Sequence, residues 1–81
     1  MKQVLIYSTP TCGFCKRTKE YLKDKSIAFT DFDVSVDSDK AQEMVDLTGQ
    51  MGVPVIVIGE GEDKQVIIGF DQYKIDLALG L

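Results

Sequence analysis

The only two cysteines of this chain, Cys12 and Cys15, stand three positions apart, and that spacing decides how the fold has to be held. A domain of 81 residues buries only about 60% of the surface its unfolded chain exposes, which leaves it marginal without reinforcement. Small secreted folds find reinforcement in several disulfides that close long loops. A bridge from Cys12 to Cys15 closes a tiny loop and removes little entropy from the unfolded chain. The pair is therefore a poor staple. Stability has to come from one packed core, and the length supports a single domain over residues 1–81.

The apolar pattern supplies the elements of that core. Lys2–Ser8 carries the continuous run Val4, Leu5, Ile6 and Tyr7, which reads as a buried strand ended by Ser8-Thr9-Pro10-Thr11. Gly13 to about Lys25 spaces Phe14, Thr18, Tyr21 and Leu22 as a helical stripe, with Lys, Arg and Glu on the other face. Ala28–Val34 alternates as a second strand. Ser38 is a helix-cap residue, Lys40–Thr48 places Ala41, Met44, Val45 and Thr48 at helical spacing, and Gly49 stands where a helix C′ glycine belongs. Val53–Ile58 is almost wholly β-branched, a hairpin connection over 59–63 leads to a strand over Gln65–Ile68, and Asp71–Leu79 closes with a short helix. The order is β-α-β-α-β-β-α. A β-α-β start implies parallel strands and a right-handed crossover, and the closing hairpin adds antiparallel pairing. The expected α/β architecture is a four-stranded mixed sheet flanked by three helices. Phe29, Phe32 and Met44 read as core, as does Tyr7, while Phe70 divides evenly between a core lid and a substrate wall.

Charge and residue content remove several function classes. The formal net charge of −4 argues against nucleic-acid or anionic-lipid binding. No apolar run exceeds Val53–Ile58, so no membrane helix is expected, and the four residues Val4–Tyr7 are too few for a signal peptide. A cytoplasmic location follows as the default. The chain has no His, which rules out Cys-His and Ser-His-Asp nucleophile systems within one chain, and two cysteines alone do not close a tetrahedral zinc site. No metal is expected. Residues 1–26 hold six basic side chains against two acidic ones, whereas residues 27–81 hold three against eleven. The cluster Lys16, Arg17 and Lys19 directly follows the cysteines; it reads as a solvated helix face, as a device that favours a thiolate or draws an anionic substrate, or as both.

Cys12-Gly13-Phe14-Cys15 lies at a strand-to-helix junction. Unpaired backbone N–H groups and the helix dipole at that end favour an anion, and a thiolate is one. Cys12 is then the exposed attacker and Cys15, one turn inward, the resolving thiol. Gly13 and Phe14 supply the tight turn and an apolar cover. With no His and no evident buried acid, protons would move through water or a nearby lysine such as Lys16. Pro54 at the head of a strong strand is awkward unless its bond geometry or missing donor is used. A cis Val53–Pro54 peptide would turn the Val53 backbone outward to receive an extended substrate as an added strand; a trans proline that merely starts the strand is the plain alternative.

Taken together, Cys12-Gly13-Phe14-Cys15, Gly52-Val53-Pro54 and Ile68-Gly69-Phe70-Asp71, in this order over nearly all 81 residues, make a chain that resembles the glutaredoxins. The resemblance implies a minimal thioredoxin fold, a cis Pro54, and dithiol–disulfide exchange through Cys12 and Cys15. It implies a substrate surface made of Thr11, Phe14, Lys19, Val53, Pro54, Gly69, Phe70 and Asp71. It implies no tightly bound cofactor, glutathione as co-substrate, disulfide-bearing proteins as partners, and a monomer.

Departures from the family pattern bear on the reductant. Gly13-Phe14 replaces the Pro-Tyr of common dithiol members and is similar to the monothiol, iron–sulfur-handling branch, which has Ser where this chain has Cys15. Ile68-Gly69 replaces Gly-Gly and is closer to the glutaredoxin-like hydrogen donors of ribonucleotide reductase, which take electrons from thioredoxin reductase. Carboxylates of glutathione would need Arg17 or Lys19 and the start of the last helix, where Asp71 suits the amine. Glutathione is slightly favoured over thioredoxin reductase as reductant. An iron–sulfur carrier, with Cys12 of two chains and two glutathiones around a [2Fe–2S] centre, is the alternative.

Overall fold

A computed structural model describes residues 2–81. Its elements are β1 (Val4–Ser8), α1 (Gly13–Asp24), β2 (Thr30–Asp33), α2 (Ser38–Thr48), β3 (Val55–Ile58), β4 (Gln65–Ile68) and α3 (Gln72–Leu79). The strands form one sheet in the order β2-β1-β3-β4. β1 runs parallel to β2, with Tyr7 opposite Phe32 and Ser8 opposite Asp33. It pairs antiparallel with β3, and β3 antiparallel with β4. The expected β-α-β-α-β-β-α order and mixed sheet are both present.

The two central strands explain the two continuous apolar runs. Every residue of β3 is buried, because the sheet has a packed layer on both faces. On one face Val4, Ile6, Ile56, Ile58 and Ile67 meet Leu22 of α1 and Ile75 and Ala78 of α3. On the other face Tyr7, Val55 and Val57 meet Met44 of α2. The alternation of β2 is shared between these layers: Ile27 and Phe29 lean on the first, Phe32 and Val34 on the second.

Several boundaries differ from the sequence expectations, each for a local reason. The side chain of Asp37, not Ser38, accepts the Lys40 N–H and caps α2, and Ser38 becomes the first helical residue. β3 starts at Val55, after Pro54, which has no N–H to give the ladder. β2 covers Thr30–Asp33, the four residues that pair with Leu5–Ser8 of β1. The β3–β4 connection contains a 3-10 turn over Gly61–Asp63. On α1 the buried stripe is Cys15, Thr18 and Leu22, one residue round from the expected phase at its start. Phe14 therefore points outward and is 59% exposed.

Candidate active site

Cys12 is the N-cap of α1. Its backbone is extended (φ −86°, ψ 113°), and its sulfur accepts the Cys15 N–H at 3.1 Å. The Cys12 sulfur thus satisfies one of the donors that every helix start leaves unpaired. The Cys12 N–H donates to the Thr9 carbonyl at 3.3 Å and the Lys16 N–H to the Cys12 carbonyl at 3.2 Å, so the turn before the helix is fixed on both sides. Both cysteines are free thiols, Cys12 half-buried and Cys15 fully buried. Burial pushes the Cys15 thiol up to about 11, helped by its hydrogen bond with Cys12; a Thr9 backbone hydrogen bond and the charge of Lys19 act in the opposite direction. A half-exposed sulfur on a helix end backed by a buried thiol is an arrangement for attack and resolution.

The Val53–Pro54 peptide is cis. The Val53 carbonyl oxygen stands 3.9 Å from the Cys12 sulfur. Gly69 N–H donates to the Pro54 carbonyl at 2.8 Å, which ties the turn before α3 to the same place. Gly69 holds a left-handed φ of +84° with open space where a Cβ would point, so conformation and not crowding asks for glycine there. Phe70 is half-buried, packs on the first core layer and tilts against Tyr21 at 5.9 Å between ring centres, so part of its ring belongs to the core. Asp71 caps α3 by accepting the Lys74 N–H at 3.1 Å, so one of its oxygens is committed to the fold.

The structure therefore brings Cys12, Cys15, Val53, Pro54 and the Gly69–Asp71 turn together. Thr11 is exposed in the turn just before Cys12. Phe14 lies beside it under the Arg17 guanidinium, 5.6 Å from the ring centre, and with Gly13 these two line a hollow of about 240 Å³. Two other hollows, of about 410 and 580 Å³, include Gln3 and Gly59 at the far end of β1 and touch neither cysteine. Cys12 is half-buried at the helix start, open to a disulfide carried on an extended chain.

Lys19 is taken up by an ion pair within the fold. Its ammonium lies 2.7 Å from an Asp31 oxygen, on the β2 side of the sheet, and the other Asp31 oxygen accepts the Ser8 hydroxyl at 2.6 Å. Sequence reasoning missed Asp31 and Ser8. The signal was present: the alternation Ile27, Phe29, Asp31 puts an acid on the strand face that looks toward α1. Lys16 is exposed. Among the described residues, no group of three or more Cys, Asp or Glu side chains is placed to hold a metal ion, and no helix is long and apolar enough to cross a membrane.

A four-stranded mixed sheet with three helices, carrying two cysteines on the first helix start opposite a cis proline, defines a redox protein of the thioredoxin fold. The glutaredoxin family model matches residues 4–62. The chain is 51% identical to a glutaredoxin-like 8.6 kDa protein in the rubredoxin operon of Clostridium pasteurianum, over 90% of this chain and 92% of that protein. It is 35% identical to glutaredoxin 3 of Escherichia coli, over 100% of this chain and 94% of that one. The solved structure of a glutaredoxin from Archaeoglobus fulgidus superposes with a TM-score of 0.81 at 26% identity, covering 98% of this chain and 87% of the other. The chain belongs to the glutaredoxin family.

Proposed function

We propose that this chain is a thiol–disulfide oxidoreductase that reduces protein disulfides or glutathione mixed disulfides, with Cys12 as attacker and Cys15 as resolving thiol. The observation that carries this reading is the pairing of a half-exposed Cys12 sulfur, accepting a helix-start N–H at 3.1 Å, with a fully buried Cys15. The Cys12 thiolate attacks a substrate sulfur, and the other substrate sulfur leaves as a thiol. The mixed disulfide lies along Val53–Pro54, beside the Cys12 sulfur. Cys15 then attacks Cys12, the substrate leaves reduced by two electrons, and the Cys12–Cys15 pair is left oxidised by the same two.

A reductant returns those electrons, and glutathione is the one we assign. Its amine fits the Asp71 oxygen left free by the cap, and its carboxylates fit Arg17 and the start of α3. Lys19, committed to Asp31, is removed from that donor set. Residues 1–81 work as one domain, as a monomer in the cytoplasm. The test is reduction of a small mixed disulfide by the full chain, coupled in parallel to glutathione with its reductase and to thioredoxin reductase. Turnover through glutathione supports the assignment; turnover through thioredoxin reductase alone moves the electron donor; silence in both overturns the enzyme reading. Cys12→Ser abolishes turnover, whereas Cys15→Ser retains reactions that need only a glutathione mixed disulfide. Dithiol activity surviving in Cys12→Ser refutes the choice of attacker.

A further inference from the structure

A polar group joining α1, β2 and β1 is left idle by the exchange chemistry above. Ser8, the last residue of β1, is 1% exposed, and its hydroxyl is spent on Asp31. Asp31 in turn holds the Lys19 ammonium at 2.7 Å. Lys19 lies four residues after Cys15 on α1, so the two side chains share a helix face. A long lysine side chain ordinarily extends its charge into water; this one is held half-buried, on the helix face of a fully buried thiol. The groups that act on Cys15 are Cys12 and Lys19 on its own helix and a Thr9 backbone hydrogen bond from the preceding turn. Asp31 enters from β2 only through Lys19, and Lys16 and Arg17 are exposed.

We propose that Lys19 supplies the positive charge that lets the buried Cys15 sulfur ionise during the resolving step, and that Asp31 and Ser8 are positioning residues that hold this charge one helix turn from it. The inference rests on the proposed oxidoreductase function. In the step concerned, Cys15 gives up its proton and its sulfur attacks the Cys12 sulfur. The bond from Cys12 to the substrate sulfur breaks, and the departing thiolate takes up a proton. A positive charge one helix turn from the attacking sulfur favours its anion, and Lys19, held by Asp31, is such a charge. In the mixed disulfide burial is the main obstacle to the Cys15 thiolate, and the Thr9 hydrogen bond and the Lys19 charge oppose it.

The test is stopped-flow reaction of the full reduced chain with 4,4′-dithiodipyridine, a neutral disulfide that is indifferent to charge steering. Wild type releases one thiopyridone as Cys12 is capped and a second as Cys15 resolves the adduct. Loss of Lys19 in Lys19→Gln is expected to move the pH profile of the second phase to higher pH. Less of the thiolate is then present at pH 7, partly offset by the greater nucleophilicity of a more basic sulfur, so the second phase slows. The first phase keeps its rate, and Lys19→Arg, which keeps charge and ion pair, overlays wild type. A Lys19→Gln profile that superimposes on wild type overturns the inference. Parallel slowing of both phases also overturns it, because a general structural effect does that. Release of a single thiopyridone by wild type overturns the proposed function with it, whereas two equivalents keep that function whatever Lys19→Gln does.

Discussion

The buried Cys15 thiol makes the stability of this domain depend on alkaline pH in a way that can be calculated. In the folded chain burial and the Cys12 hydrogen bond hold this thiol at about 11, against an ordinary value of 9.0. Between those values the unfolded chain has released a proton that the native chain still holds. Stability therefore falls as pH rises: the contribution is whole below pH 9 and is lost on the way to pH 11. At pH 10 the difference is about one unit of proton affinity, or about 1.4 kcal/mol. With a urea dependence of about 1 kcal/mol per molar for a domain this small, the unfolding midpoint moves down by about 1.4 M between pH 8 and pH 10. Tyr7, pushed up by burial and by Glu43, and Tyr21, pushed up by its hydrogen bond to Asp76, act in the same direction, so the comparison has to be with a variant that keeps both. Cys15→Ser does. The assay is urea unfolding followed by far-ultraviolet circular dichroism under a phosphine reductant from pH 7 to pH 10. Wild type should lose about 1.4 kcal/mol more than Cys15→Ser over the last two units. Curves that fall in parallel to within about 0.5 kcal/mol would refute the reasoning, because the thiol would then titrate alike in both states.

Three further perturbations follow from packing and backbone. Ile56→Ala removes a fully buried side chain from the middle of β3 and should cost about 3 kcal/mol in denaturant unfolding; a cost below ~1 kcal/mol would mean that this layer is not close-packed. Asp71→Ala deletes the α3 cap and should cost about 1 kcal/mol, with Asp71→Asn restoring most of it; equal losses in the two variants would argue against a capping role. Gly69→Ala meets no atom within 4 Å yet places a Cβ at φ +84°, so it should lower the melting temperature by about 4–8 °C for a cost of ~1 kcal/mol, and an unchanged melt would contradict the left-handed turn.

Local chemistry made most of this fold readable before the structure. The continuous runs Val4–Tyr7 and Val55–Ile58 announce strands with a packed layer on each side, and both lie at the centre of the sheet. Gly49 at the end of α2 has the left-handed backbone its position suggests. The misreadings come from places where two local rules compete. Asp37 and Ser38 are both good caps, and only the helix geometry selects the first. Phe14 belongs by apolarity to the α1 stripe, but the stripe is set by Cys15, Thr18 and Leu22, and the phenyl ring is left outside with Arg17 over it. The placement of Cys12 and Cys15 at a helix start was legible because it depends on their spacing and on the strand-to-helix junction. The Lys19–Asp31–Ser8 group was not, since it joins α1, β2 and β1 and exists only once the crossover has brought them together.

Cys12, the nucleophile of the proposed cycle, is also the cap of the helix that carries it, so oxidation changes a structural bond as well as a chemical one. A thiolate is a better acceptor than a disulfide sulfur, so the hydrogen bond from the Cys15 N–H is strongest when the pair is reduced. Whatever free energy that bond gives to α1 is also given to the reduced form over the oxidised one. A cap is worth ~1 kcal/mol, and for a two-electron couple about 1.4 kcal/mol corresponds to 30 mV. On that scale roughly 20 mV of this protein's reduction potential is helix stability under another name. A substitution in the first turn of α1 that frays the helix alters the electron affinity of the pair even when it never touches a sulfur.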